Sequence, residues 1–480
     1  MLRWPEPAAQ PPIVPATMQV APMAWLPALA CIRMSRAHFA GSRKGCQRVW
    51  PGGTRLISAC RVGPFAPRRE IRMKGSPPPG TLLLTAVLLI SLNLRPAVAA
   101  LSPLLETIRA DLALGYPALG LLTTIPVLCM GVFPAVAVAA TARFGTKRTL
   151  GAAIALLAVA VAARLAGQSA IVLFGSALVA GMAIAGAQTL LPAVVKQHFG
   201  RRAPQVIGLS ATVMTMGAGL AAGTTAILAA TFGSWPLALA FWAIPAVAAA
   251  AFWLPFARGT QVPATERRTA GDGLPWREGR AWLITLFSAV AFSVFWSVLT
   301  WLAQAYRDQG WSSIAAGSLL AVLTAAQIVG SLVLSAVVTR SSDRRPSMIL
   351  SLLVSTAGLA GVALAPLAAP WLWTIVMGLG MGPLFPLALM LPIDYGHDVA
   401  AVRRLTVMTS SLAYLLAALG PFVIGWLRGA TGSFTIPFLT LALLVAAMLP
   451  LVRWFRPAQM HVDGTHGTAP MTPNPAGRDR

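Results

Sequence analysis

With 480 residues, of which 57% are hydrophobic and only 10% charged, the chain lacks the roughly one quarter of charged residues that a soluble domain displays. That composition excludes an ordinary water-soluble globular protein. The formal net charge of +24 would suit a nucleic-acid binder, but the basic residues are spread over connections that share one side of a membrane, and this excludes a basic groove.

Residues 1–79 are rich in Pro, Arg and Ala, and they hold 12 of the 37 Lys and Arg but only two acids, Glu6 and Glu70. They carry no signal-peptide pattern, and the expectation is a disordered or mis-annotated extension, with Met73-Lys74 as an alternative start. Beyond it come twelve apolar runs, each near the 20 or so residues that a bilayer core of about 30 Å requires. Their approximate limits are 81–104, 117–140, 149–166, 169–193, 205–230 and 235–255, then 281–303, 314–338, 347–366, 370–392, 405–427 and 434–453. Strands of a barrel would instead show alternating segments of about ten residues. The fold class expected is therefore an all-α membrane protein of twelve transmembrane helices.

The runs divide into two six-helix bundles, 80–256 and 281–455, around a connection at 257–280, with a disordered tail at 456–480. Two echoes support a repeat. Arg143-Phe-Gly-Thr-Lys-Arg148 follows the second run and Arg340-Ser-Ser-Asp-Arg-Arg345 the eighth; Leu-Leu-Pro192 closes the fourth and Met-Leu-Pro392 the tenth. Parallel halves of this kind are a transporter architecture, with the solute site near the midplane between them. Of the basic residues beyond the extension, 20 lie in alternate connections and the C-terminal tail, four on the opposite side and one within a run. By the positive-inside rule the basic side and both termini are cytoplasmic, and the expected location is a bacterial inner membrane.

The one mid-run charge is Arg95, in Leu92-Asn-Leu-Arg-Pro96. An arginine at the bilayer centre costs at least about 2.5–3.5 kcal/mol, so it needs a partner or a wet cavity. Of the acids only Glu106 comes near, and it lies about three turns away, beyond the outer end of that run. An unpaired guanidinium is best explained by a solute that brings the negative charge. Ser91, Arg95, Val98 and Ser102 fall on one helical face, and Pro96 frees the carbonyl of Leu92, which a wet cavity could satisfy. The alternative is a structural arginine bonded to neighbouring carbonyls. The seventh run shows the same spacing in Ser293, Ser297, Thr300 and Gln304, flanked by Trp296 and Trp301, so matching polar faces are expected to line one cavity. Gly181, Ala185 and Gln188 on the fourth run and Gly378, Gly382 and Phe385 on the tenth are further wall candidates, although small residues more often serve helix packing. Asn93 and Tyr414 complete the candidate solute-binding set, with Gln327 and Ser410 weaker.

No cofactor, metal or disulfide is expected: Cys129 is the one cysteine within a run, without His or carboxylate at ligand spacing. No His or acid lies mid-run to relay protons, and no Gly-Lys-Ser/Thr loop is present to hydrolyse nucleotide.

Leu92-Asn-Leu-Arg-Pro96, Gly120-Leu-Leu-Thr-Thr-Ile-Pro-Val-Leu128, Leu190-Leu-Pro-Ala-Val-Val-Lys196, Leu299-Thr-Trp-Leu302 and Leu384-Phe-Pro-Leu-Ala388 together resemble the cyanate and nitroimidazole transporter family of the major facilitator superfamily. The resemblance spans residues 80–455. It implies two bundles rocking around a cavity lined by the first, fourth, seventh and tenth helices. It also implies a conformational hinge at Arg143, Gly145, Lys147 and Arg148, echoed by Arg344 and Arg345. Three departures stand out: Ala142 where the superfamily usually has Asp, Gln188 and Trp296 where the family often has Asn and Tyr, and no Gly-Pro of drug antiporters in Gly217-Ala-Gly-Leu-Ala-Ala-Gly223. The expectation is a monomeric secondary transporter of a small anionic or weakly acidic solute, not an enzyme. Its rivals are an exporter of neutral or cationic compounds and a membrane enzyme or sensor.

Overall fold

The computed structural model describes residues 80–257, 274–338, 343–396 and 398–455; the extension before residue 80, most of the 257–280 connection and the C-terminal tail lie outside the described residues. Every regular element among them is helical. Ten stretches are long and apolar enough to cross a bilayer, and a bent pair makes an eleventh. One of the ten, Ala170–Phe232, has 63 residues and would be about 95 Å long as a single helix. It is in fact two helices of 30 residues each, folded back at Gly200–Arg202. The count among the described residues is therefore twelve.

They are α1 (Gly80–Asn93, continued by short pieces to Leu112), α2 (Tyr116–Val132 bent into Pro134–Phe144), α3 (Thr146–Ala162), α4 (Ala170–Phe199), α5 (Ala203–Phe232) and α6 (Trp235–Ala240 with Ala243–Ala257). The second six are α7 (Gly279–Arg307), α8 (Ser313–Val338), α9 (Arg345–Leu364), α10 (Pro370–Tyr395), α11 (Val399–Thr431) and α12 (Thr435–Ala446, with Leu449–Trp454 beyond it). Large apolar side chains cover the outside, with Ile171 85% and Leu443 70% exposed, while Ser, Thr, Asn, Gln and two Arg are buried within. This distribution matches a lipid solvent, in which apolar surface carries no penalty.

The packing repeats. In the first half α1 packs on α5, α2 on α4, and α3 on α4 and α6; in the second α7 packs on α11, α8 on α10, and α9 on α10 and α12. The two large contacts between halves, α2 with α11 and α5 with α8, exchange under the same rule, as a two-fold pseudo-axis between the bundles requires. Small residues make these seams close. Gly219 of α5 lies against the Thr324 side chain of α8, and a Cβ on Gly120 of α2 would stand 2.7 Å from the carbonyl oxygen of Pro421 on α11.

α1 is broken where the sequence places Arg95 and Pro96. The α-helix ends at Asn93, Leu94 and Arg95 form a turn, and helix resumes at Pro96, because Pro96 lacks the donor that would bond the Leu92 carbonyl. That carbonyl does not face open space, as the sequence led us to expect. It packs onto the backbone of α5 at Gly217, where a Cβ would overlap the oxygen. Asn93 secures the other side of the break, its Nδ2 donating to the carbonyls of Leu89 at 2.8 Å and of Pro245 on α6 at 3.0 Å.

α2 bends by 54° between its two parts. Pro134–Phe144 then packs on α3 and α4 and leaves α11, which the first part of α2 follows closely. The halves therefore meet at the end of the molecule opposite the basic connections and diverge toward the basic end. Gly217→Val is expected to wedge α5 from the α1 break at a cost of about 1–3 kcal/mol, typical of overpacking. Tryptophan-fluorescence melting in detergent should then show a lower Tm than wild type, with Gly217→Ala intermediate.

Candidate functional site

Arg95 sits at the α1 break, about 22 Å along the helix from Gly80 at 1.5 Å per residue, and is 4% exposed. Among the described residues no oxygen accepts a hydrogen bond from its side chain, and Nη1 is enclosed without a partner. Aromatic faces hold it instead. Its Cζ lies 4.4 Å from the ring centroid of Phe295, 5.2 Å from Trp296 and 5.5 Å from Phe385. Each such contact is worth roughly 0.5–1 kcal/mol, and about 2 when desolvated, so three rings together approach the insertion cost of the charge. Ring faces supply that stabilisation without consuming the N–H groups that a planar anion would use.

The rings continue across the midplane. Phe292 stacks at 4.9 Å on Phe385 and at 4.9 Å on Tyr414, and Gln188 of α4 donates to the Tyr414 hydroxyl at 3.1 Å. The cluster thus joins α1, α4, α7, α10 and α11. Phe295, Phe385 and Gln188 retain partial exposure, while Arg95, Phe292, Trp296 and Tyr414 are buried.

The structure places the remaining sequence candidates elsewhere. Asn93 spends both amide hydrogens on backbone carbonyls and shapes the break. Thr300 donates to the Trp296 carbonyl at 2.7 Å, and its own carbonyl accepts from Ser102 of α1 at 2.7 Å. Trp301 donates to the Pro421 carbonyl of α11 at 2.8 Å. Gln304, about 12 Å beyond Trp296 along α7, donates to Glu106 at 2.9 Å and Asp308 at 3.1 Å. These three belong to the closed end. Ser293 and Ser297, expected on the cavity wall, lie against Gly420 of α11. Gly181 packs on Pro126 and Cys129 of α2, and Gly378 and Gly382 on α8, so of the small-residue faces only their terminal members, Gln188 and Phe385, reach the cluster.

Sequence reasoning missed Phe292 and Phe295, which lie off the polar stripe of α7, on the neighbouring face. It also counted Arg164 with the far-side loops, yet that residue is 1% exposed, with Nε donating to Ser176 at 3.3 Å and Nη1 unpartnered.

At the basic end, Gly145 adopts φ +79° between α2 and α3, a conformation that favours glycine. Arg143 beside it lies over the Phe144 ring at 5.6 Å, while the Lys147 carbonyl accepts from Trp253 at 2.9 Å and Arg148 is exposed. In the second half Arg344 pairs with Asp394 of α10 at 3.2 Å and Arg345 with Asp343 at 2.8 Å. Hydrogen bonds from Arg345 hold the Asp343 carboxyl below the usual carboxylate range. The first-half connection has Ala142 near the matching place and lacks this pairing.

The sequence profile of the Major Facilitator Superfamily matches residues 83–418 and 281–477. The chain is 31% identical over 377 residues to the cyanate transport protein CynX of Escherichia coli (strain K12), covering 78% of this chain and 98% of that protein. It is 32% identical over 374 residues to the 2-nitroimidazole transporter of the same organism, covering 76% and 93%. Among solved structures, the inward open conformation of the xylose transporter XylE from E. coli superposes with a TM-score of 0.65 at 13% identity, covering 79% of this chain and 97% of that one; this similarity shows the fold.

A buried charge with no hydrogen-bond acceptor gives little net stability even when ring faces offset its desolvation. Arg95→Met is therefore expected to melt no lower than wild type, and by several degrees higher if the rings close over the methionine. Asn93→Ala, which removes the bond from α1 to the Pro245 carbonyl of α6 at a cost of about 0.5–1.5 kcal/mol, should melt lower. Thermal unfolding of both ligand-free variants checks the pair.

Proposed function

We propose that this chain, which belongs to the major facilitator superfamily and within it to the cyanate and nitroimidazole transporter family, carries a small anionic or weakly acidic solute by alternating access. Membership makes it a multi-pass membrane secondary transporter; the class of solute is our inference. The observation that carries it is the Arg95 guanidinium, buried among ring faces with Nη1 open to no protein oxygen. An anion about 4 Å away at an effective dielectric near 20 would gain roughly 4 kcal/mol from that charge.

The planar fork of an arginine suits a carboxylate, a nitrate-like oxyanion or a nitro group, each of which offers two oxygens in one plane. Phe295, Trp296 and Phe385 would cover the flat faces of such a solute, and the Gln188–Tyr414 pair would meet its far edge. Two relatives carry names for solutes of this size, cyanate and 2-nitroimidazole. Asn93 acts by holding the break, and Thr300, Trp301 and Gln304 by closing the far end. Arg143, Gly145, Lys147, Arg148, Arg344 and Arg345 act as the hinge at the basic end.

The positive-inside rule puts that basic end and both termini in the cytoplasm of a bacterial cell, so the site in this conformation opens inward. The protein works as a monomer in the inner membrane, without cofactor or nucleic acid. Detergent-purified protein should gain thermal stability from one or more of cyanate, nitrate, small carboxylates and 2-nitroimidazole. Arg95→Gln should abolish that gain, weakening binding by about two to three orders of magnitude, while Arg95→Lys should keep part of it. Stabilisation by hydrophobic cations alone, unaffected by Arg95→Gln, would overturn the solute class.

A further inference from the structure

The end of the molecule at which the halves meet is built from two carboxylates, two arginines, one tyrosine ring and one amide. Within the α1 span, Arg109 holds Glu106 with Nε at 2.9 and 3.0 Å from the two carboxylate oxygens and Nη2 at 2.5 Å. Within the second half, Arg428 of α11 holds Asp308 at the end of α7, with Nε at 2.8 Å and Nη2 at 2.5 Å. Both ion pairs thus lie inside one half. Gln304 joins the halves between these pairs, its Nε2 giving one hydrogen to Glu106 at 2.9 Å and the other to Asp308 at 3.1 Å, beside the bond from Ser102 to the Thr300 carbonyl. The ring of Tyr116, at the start of α2, adds a further link, with Arg109 at 5.4 Å and Arg428 at 4.7 Å.

We propose that Gln304 is a positioning residue of the transport cycle: its amide latches this end shut by clamping a carboxylate from each half, and releasing Glu106 opens it. The residue type fits the task. A primary amide has two N–H groups directed at different acceptors and no charge of its own, so it satisfies both carboxylates without a third ionic partner. A lysine or arginine here would turn the latch into an ion pair between halves, whose separation costs more. A glutamate would set three carboxylates together and drive the end apart. Because each carboxylate keeps its own arginine when the halves separate, opening leaves no bare charge behind. The latch requires that the halves rock, which follows from the family, and it is independent of what solute Arg95 binds.

The test uses the full-length protein in lipid nanodiscs, with its four native cysteines replaced by Ser or Ala and a single Ser102→Cys introduced. Ser102 is buried at this seam, bonded to the Thr300 carbonyl, so the rate at which a hydrophilic maleimide labels the new thiol reports how often the end opens. No solute is added. Gln304→Ala is expected to speed labelling about tenfold, the loss of one charge-assisted hydrogen bond, and Gln304→Glu at least as much. Glu106→Gln, which weakens the acceptor that Gln304 holds, should also speed labelling, and the double variant Glu106→Gln with Gln304→Ala should label about as fast as the faster single variant, because both changes remove the same contact. Gln304→Asn, one methylene shorter, is the milder variant if the others do not fold, and it too should label faster. Parental labelling rates in folded Gln304 variants would overturn the proposal, as would a double variant in which the two accelerations multiply as independent effects.

Discussion

A cation held by ring faces instead of oxygens is the arrangement on which the rest of this molecule depends. Arg95 could have been neutralised by a carboxylate, and then it would be a structural strut. It could have been tied to carbonyls exposed by the α1 break, and then Pro96 would only mark a kink. Neither is the case: the Leu92 carbonyl is packed on Gly217, Asn93 is spent on α6, and the guanidinium is left to Phe295, Trp296 and Phe385. Those rings belong to the other half. The interaction that makes the charge tolerable is therefore also one that spans the interface between bundles, near the middle of the membrane.

Around that point the interface is built from close backbone approach and a small number of neutral or half-neutral bonds. Glycines bring α2 to α11 and α5 to α8. Ser102 reaches the Thr300 carbonyl, Thr124 the Ala418 carbonyl, and Gln188 the Tyr414 hydroxyl. Four ion pairs are resolved among the described residues, and each lies within one half. Rigid halves and a weakly bonded seam are what a rocking motion needs, because a two-state element must be held by interactions small enough to exchange.

Much of this architecture is legible in the residues alone. Twelve apolar runs of bilayer length place twelve helices, and one of them shows how composition outperforms a length test: Gly-Arg-Arg at 200–202 marks a turn that a continuous apolar stretch hides. Arg95 is legible because a charge in an apolar run is rare. Its surroundings are not. Helical spacing tells which residues share a face, but not which neighbour that face meets. The Ser293–Gln304 stripe was a sound face with a different partner, α11 and the closed end in place of the cavity. Phe295, one position from Trp296, carries no polar signal and is found only when α1 and α7 are seen together. Arg164 escaped for the opposite reason: a position near the end of a run reads as interfacial, and tertiary packing on Ser176 of α4 buried it instead.

The pseudo-axis relates the two bundles, yet the charge sits on one side of it and the rings on the other. On the proposed reading, a passenger bound to that charge would be off-centre, fastened to the first bundle and merely in contact with the second. As the bundles tilted, it would move with its holder while the aromatic wall slid across its face, and flat stacking surfaces tolerate such sliding far better than directed bonds do. Duplicated halves would thus take unequal work under that reading, one gripping and the other gliding.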